Sequence, residues 1–251
     1  MPNTLVIIPT YNEIDNLEPI VSRVRANVAD AEVLIVDDSS PDGTGALADS
    51  LAARDSNVHV LHRSTKNGLG AAYLEGFAWA LSRGYYTLVQ MDADGSHLPE
   101  QLPSLLAASE NAEVVMGSRW VTGGHIVNWP WHRRMLSQGG STYSRFLLHL
   151  HQRDVTGGYR VYSANALERM RLSSVESLGY CFQIDMLLHA VRAGLTVVEV
   201  PITFVERTHG ASKMSGRIVL EAMGRVTMWG LTGQGVARTS GSPAVAGSRR
   251  G

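Results

Sequence analysis

The sequence predicts a single α/β domain: a mostly parallel sheet flanked by helices. Three observations carry this. Short apolar runs recur at Leu5-Val6-Ile7-Ile8, Glu32-Val33-Leu34-Ile35-Val36-Asp37, Val58-His59-Val60-Leu61, Tyr86-Thr87-Leu88-Val89-Gln90-Met91 and Val114-Val115-Met116-Gly117, each of the length and composition of a buried strand. Between them lie segments with helical periodicity, and strands alternating with helices at this interval build βαβ units. The length of 251 residues, 44% of them hydrophobic, suits one domain with a full core.

The elements follow in order. The first run is closed by Pro9. Leu17, Ile20, Val21, Val24 and Val28 then mark one face of a helix from Asn16 to Val28. The second run leads to a helix over Gly43 to Arg54, with Asp42 or Thr44 near its start. The third leads to an Ala-rich helix, Leu69 to Ser82, that stops at Gly84. A helix from about Pro99 to Ser109 follows the fourth. After Gly117 the alternation loosens. Residues 120–131 read as a Gly- and Trp-bearing loop, 132–150 as a long helix, and Arg217 to Leu231 as an amphipathic one. Residues 232–251 are Gly, Ser, Ala and Arg without periodicity and read as a disordered tail. That leaves 1–231 as the folded domain.

Composition excludes several classes. A net charge of −1 gives no basic field for nucleic acid. The single Cys181 rules out an intramolecular disulfide and a multi-cysteine metal site, and fits a reducing, cytoplasmic setting. The N-terminus has no signal-peptide pattern, and no apolar run is long enough to span a bilayer.

Chemistry gathers where strands end, which is where open parallel sheets bind ligands. Asp92-Ala93-Asp94-Gly95 follows the fourth strand. Two carboxylates one residue apart suit a hard divalent cation shared with a substrate diphosphate. The bland alternative is a cap for the helix opened by Ser96-His97-Leu98-Pro99-Glu100, which accounts for Ser96 or one Asp but not both carboxylates. At the first strand end, Pro9-Thr10-Tyr11-Asn12-Glu13 offers a ring face for a base and an acceptor at Glu13. At the second, Asp37 through Thr44 offers Asp38 to a ribose hydroxyl or base N–H; a polar turn with a helix cap explains the same residues. Neither G-x-G-x-x-G nor a P-loop occurs at a strand end, and Lys66-Asn67-Gly68-Leu69-Gly70 is a weak substitute. A metal-bridged nucleotide diphosphate is therefore favoured over a nicotinamide.

These segments, with Gly117-Ser118-Arg119, Asp154-Val155-Thr156-Gly157-Gly158-Tyr159-Arg160 and Arg207-Thr208-His209-Gly210-Ala211-Ser212-Lys213-Met214, resemble family 2 glycosyltransferases of GT-A fold, and more narrowly polyprenol (dolichol) phosphate mannose synthases. The match runs in order over about residues 4–230. The resemblance implies transfer of mannose from GDP-mannose to a polyprenyl monophosphate with inversion. Pro9, Tyr11, Glu13, Val36 and Asp38 would hold the guanosine, with the Ala93 backbone beside the ribose. Asp92 and Asp94 would hold Mg²⁺ or Mn²⁺. Arg119, Arg133, Ser137, Arg207 and Lys213 would line the phosphates and the acceptor, with Asp94, Arg119, Arg207 and Lys213 as the catalytic set. Asp185 would act on the acceptor side or orient an arginine. Two departures are Ser96, where some relatives carry Gln, and a Ser within Ser137-Gln138-Gly139-Gly140-Ser141, where Asn is common. The rival readings are a UDP-glucose:polyprenyl-phosphate glucosyltransferase and a non-catalytic nucleotide-sugar-binding subunit.

The lipid acceptor implies a membrane surface at the cytoplasmic face, reached through a membrane-anchoring protein or a fused membrane domain. Trp129-Pro130-Trp131, just before Arg133 and Arg134, is the expected point of interfacial contact. For the two long amphipathic helices the alternative is packing on the sheet.

Overall fold

The computed structural model describes residues 3–175, 177, 179, 181–206 and 216–232, without the side chains of 216–219 and 221. Arg207, Lys213 and all but the first residue of the expected tail lie outside the described residues.

The chain runs β1 (Thr4–Thr10), α1 (Ile14–Asn27), β2 (Glu32–Asp37), α2 (Thr44–Arg54), β3 (Val58–His62), α3 (Leu69–Leu81) and β4 (Thr87–Gln90). A 3-10 turn at Pro99–Gln101 leads into α4 (Leu102–Ser109). Then come β5 (Val114–Ser118), β6 (His125–Val127), α5 (Trp131–Leu148), β7 (Arg160–Ser163), α6 (Ala164–Arg169), α7 (Phe182–Arg192), β8 (Val197–Pro201), β9 (Thr203–Val205) and α8 (Gly216–Leu231). A seven-stranded sheet has the order β3-β2-β1-β4-β7-β5-β8, and β6 pairs with β9 separately. All pairings in the large sheet are parallel except those of β7, which runs antiparallel to both β4 and β5.

Side chains alternate across the sheet, so Leu5 and Ile7 enter one core while Val6 and Ile8 enter the other. The first core is covered by α3, α6 and α7, with the inner faces of α5 and α8; the second by α1, α2 and α4. A Cβ at Gly76 would lie 2.7 Å from Ile7 Cγ2, so α3 approaches β1 more closely than any side chain at that position permits.

β1 does not stop at Pro9, as the sequence reading expects, but continues to Thr10. Peptide groups alternate sides along a strand. Ile7 O accepts from Met91 N on the β4 side, and Thr10 O accepts from Asp38 N on the β2 side. Pro9 therefore turns its missing N–H toward β4, beyond the last β1–β4 pair, Ile7 with Gln90. No ladder bond is lost there.

α5 and α8 pack against each other. Tyr143 Oη lies 2.5 Å from Thr227 Oγ1, and Gly230 sits where a Cβ would lie 3.1 Å from Leu147 O. Leu148, Val226 and Trp229 reach the core, so part of each helix packs inward. Trp131, Met135, Leu136 and Phe146 on α5, and Leu220, Met223, Met228 and Leu231 on α8, remain exposed. No helix among the described residues is long and apolar enough to cross a membrane.

Candidate active site

The carboxyl ends of β2, β1 and β4 are neighbours. The chain leaves β1 to one side for β2 and later returns to its other side as β4, so strand order reverses at β1. Ligands of doubly wound sheets bind at such a point. The three strand-end motifs of the sequence therefore converge.

The first two loops are stitched together. Asp37 accepts from Thr10 Oγ1 at 3.1 Å, Ser40 N at 3.1 Å and Ser40 Oγ at 2.6 Å. Asp42 accepts from Thr44 N at 3.0 Å, Thr44 Oγ1 at 2.6 Å and Ile14 N at 3.3 Å. The polar-turn reading holds for these two aspartates. Asp38 is different: it is buried and ion-paired through Oδ1 to Arg63, whose side chain is also buried. Burial, the dominant influence, raises the Asp38 carboxyl above the ordinary range, although the guanidinium pulls the other way. Lys66, from the weak Gly-rich segment, places Nζ 3.3 Å from the Tyr11 ring centroid, on a face the sequence reading offers to a base. The Glu13 carboxylate accepts from Asn16 Nδ2 at 2.8 Å. Pro9 is buried within β1, and Val36 is buried in the first core.

Neither Asp92 nor Asp94 is a helix cap. The following 3-10 turn has Leu98 at its N-cap and no side-chain capping bond. Asp92 Oδ1 accepts from Tyr73 Oη at 2.8 Å, and Asp92 N donates to His97 Nδ1 at 3.0 Å. His97 is therefore an acceptor at Nδ1 and carries its proton on Nε2. It is buried, stacked on Tyr159 at 4.9 Å and edge-on to Phe204 at 5.6 Å, and burial holds its pKa below the usual imidazole value. Asp94 Oδ1 accepts from Ser96 N at 3.0 Å, closing a tight turn in which Gly95 adopts φ +77°. A Cβ at Gly158 would lie 3.6 Å from Asp92 Oδ2 and 3.3 Å from Gln183 Nε2, so this glycine keeps space open beside the carboxylate.

The donor set fits a hard divalent cation. It consists of two carboxylates, and among the described residues no three or more His, Cys, Asp or Glu side chains cluster to hold a metal. Mg²⁺-type sites commonly use one or two carboxylates and take their other ligands from substrate phosphates and water. Tyr73, which the sequence reading missed, fixes the Asp92 rotamer from α3. Tyr73→Phe is expected to weaken Mn²⁺-dependent donor binding about 10- to 100-fold while costing only about 1 kcal/mol of stability. Manganese titration and thermal unfolding of the variant check this; unchanged binding contradicts it.

The expected phosphate-side residues are partly assembled. Arg119 donates from Nε to Asp154 Oδ2 at 2.7 Å, and from Nη2 to Asp154 Oδ1 at 2.6 Å and Thr156 Oγ1 at 3.0 Å. Asp154 also accepts from Arg119 N at 2.9 Å. The pair is buried, and the guanidinium lies 5.2 Å from the Phe204 ring centroid. Arg133 donates to Glu206 at 2.7 Å and sits 4.4 Å over the Trp129 ring. Ser137 follows Arg133 by one turn of α5, on the same face. Asp185 accepts from Ser177 N at 3.1 Å and lies 3.5 Å from His189 Nε2. Of the two indoles of the expected membrane tip, Trp129 packs against Phe204 at 5.3 Å, and Trp131, 73% exposed, points outward.

Comparison with known proteins places the chain in a family. The sequence matches the family described as glycosyl transferase family 2 over residues 5–171. It is 58% identical over 227 residues to an undecaprenyl-phosphate mannosyltransferase of Micrococcus luteus, covering 90% of this chain and 93% of that one. It is 57% identical over 233 residues to a polyprenol monophosphomannose synthase of Mycolicibacterium smegmatis, covering 92% and 88%. Among solved structures, glucosyl-3-phosphoglycerate synthase of Mycobacterium tuberculosis with Mn²⁺ and UDP-glucose aligns with a TM-score of 0.64 at 19% identity, covering 96% of this chain and 81% of that one. The mannosyltransferase PcManGT of Pyrobaculum calidifontis, in complex with GDP-Man and Mn²⁺, aligns at 0.57 and 19%, covering 87% and 61%. The structural likeness bears out the expected GT-A fold, and the sequence match over two-thirds of the length makes the chain a member of glycosyltransferase family 2.

Proposed function

We propose that the chain transfers mannose from GDP-mannose to a polyprenyl monophosphate, yielding the polyprenyl-phosphate mannose and GDP. The observation that carries this reading is identity of 57–58% over nine-tenths of the chain to proteins named for that reaction.

The site geometry supports it. The nucleoside lies along the Tyr11 and Asp38 loops, and its diphosphate reaches Asp92 and Asp94. Asp92 and Asp94 would hold a divalent cation, Mg²⁺ or Mn²⁺, whose chemistry there would be to neutralise charge on the leaving diphosphate. The acceptor is a phosphate monoester, ionised at neutral pH, so no general base is required. An acceptor oxygen forms the new bond to mannose C1 as the bond from C1 to the GDP oxygen breaks, the electron pair leaving with GDP and the anomeric carbon inverting. What the protein must supply is positioning of one anion against another. Arg133 and Ser137 do so from α5, together with Arg119, whose Nε and Nη2 bond Asp154 and Thr156 and whose Nη1 makes no hydrogen bond among the described residues. Arg207 and Lys213 complete the cationic lining in this reading. Attachment at the cytoplasmic face of a membrane runs through the exposed edge of α5, or through a membrane-anchoring partner or domain.

Thermal unfolding with Mn²⁺ and either GDP-mannose or UDP-glucose tests the donor. At a donor concentration about 100 times its Kd, binding stabilises by about 2.7 kcal/mol, so GDP-mannose is expected to raise the midpoint and UDP-glucose not. Stabilisation by UDP-glucose alone shifts the reading to a glucosyltransferase. Binding of GDP-mannose with no turnover on polyprenyl phosphate shifts it to a non-catalytic subunit.

A further inference from the structure

We propose that a second pocket, on the side of α5 adjacent to the reaction site, binds a phosphate-type oxyanion. The pocket has a volume of about 260 Å³ and is lined by Trp120, Gln138, Thr142, Arg145 and Arg153. Every one of these side chains donates hydrogen bonds, two are always cationic, and none is a carboxylate. Trp120 Nε1 and Arg145 Nε are buried and find no hydrogen-bond partner among the described residues. A buried donor left unmade is costly, and both donors belong to residues of the pocket wall. Arg145 lies in the last turn of α5, where the helix dipole favours a cation. That explains its charge, but not the orphaned indole N–H that shares the pocket. The nearby Glu199 carboxylate accepts from the main-chain N–H of Arg153 at 2.7 Å and of Asp154 at 2.9 Å, so it is engaged with the backbone rather than with either guanidinium.

The pocket is distinct from the proposed reaction site. Gln138, Thr142 and Arg145 succeed one another at i+4 and i+3, one stripe of α5, next to the stripe that carries Arg133 and Ser137. The Trp120 ring borders both regions, with the Arg119 guanidinium 5.7 Å and the Arg134 guanidinium 5.9 Å from its centroid. The same helix also carries exposed Trp131, Met135 and Phe146. Either a lipid headgroup phosphate or a free phosphate compound has the chemistry to fill it.

The test is calorimetric titration of the full chain with inorganic phosphate at constant ionic strength, with GDP and Mg²⁺ saturating the donor site. Arg145→Gln/Arg153→Gln is expected to bind phosphate at least tenfold more weakly, while mannosyl transfer to detergent-dispersed acceptor stays unchanged. Equal phosphate affinity in that variant, or a loss seen only in Arg133→Gln, overturns the proposal. If the double variant does not fold, Arg153→Gln alone, at an exposed position, must weaken phosphate binding at least threefold; unchanged affinity overturns the proposal equally. Flotation with phosphatidylcholine vesicles, with and without phosphatidylglycerol, identifies the source once phosphate binding is weakened. Loss of anionic-vesicle binding in the variant assigns the pocket to a lipid headgroup; equal flotation assigns it to a free phosphate compound.

Discussion

Asp94→Ala is expected to lower mannosyl transfer at least a hundredfold and to leave the folded state nearly as stable as before. A divalent cation on a leaving diphosphate contributes several kcal/mol to the transition state, and each 1.4 kcal/mol or so is a decade in rate. The structural cost is small by comparison. Asp94 is partly exposed, and its bond to Ser96 N is of the kind that contributes about 1 kcal/mol. Asp92→Ala is a less clean test, because it also strands the hydroxyl of fully buried Tyr73. Turnover and thermal unfolding of Asp94→Ala are measured together. Full activity in that variant under excess EDTA contradicts the metal role outright.

Asp154→Ala is expected to be the most destabilising single change at the site. Its side chain is 0% exposed and holds Arg119 by both the guanidinium and the main chain. Removing one partner of a buried pair leaves an uncompensated charge and costs about 3–5 kcal/mol. At roughly 2–4 °C per kcal/mol for a chain of this size, the unfolding midpoint drops by about 6–20 °C. Replacing both partners, Arg119→Leu/Asp154→Leu, removes the stranded charge and is expected to recover much of that stability. It is not expected to recover transfer, because the Nη1 donors are gone. A drop below about 1 kcal/mol in Asp154→Ala contradicts the account of the pair, and transfer by the double variant contradicts a role for Arg119 at the phosphates.

The alternating half of the fold was legible because each strand from β1 to β5 carries a short, mostly apolar run, and β2 matched Glu32 to Asp37 residue for residue. β1 was cut short at Pro9 because a local rule treats proline as a strand end; only the position of β4 reveals that no ladder bond is missing. β7 was not legible. It is four residues long, and a strand inserted antiparallel between β4 and β5 depends on pairings formed by residues far apart in the chain. Within the site, acidic residues at strand ends announced Asp92, Asp94 and Asp38. Tyr73 gave no such sign: it lies in an Ala-rich helix, and its hydroxyl acquires a role only when α3 packs on β1 and β4. Asp154 fell within a motif already singled out, but its bond to Arg119 spans 35 positions. Trp129 and Trp131 look equivalent in sequence, yet α5 begins between them and turns one onto Phe204 and the other into solvent.

The central claim is that Asp92 and Asp94 together hold a cation against the donor diphosphate. Diffraction from crystals soaked with GDP-mannose and Mn²⁺, recorded at a wavelength where manganese scatters anomalously, tests it most directly. The account predicts one anomalous peak within coordination distance of both carboxylates and of the diphosphate oxygens. Bound donor with no peak beside residues 92 and 94 contradicts it.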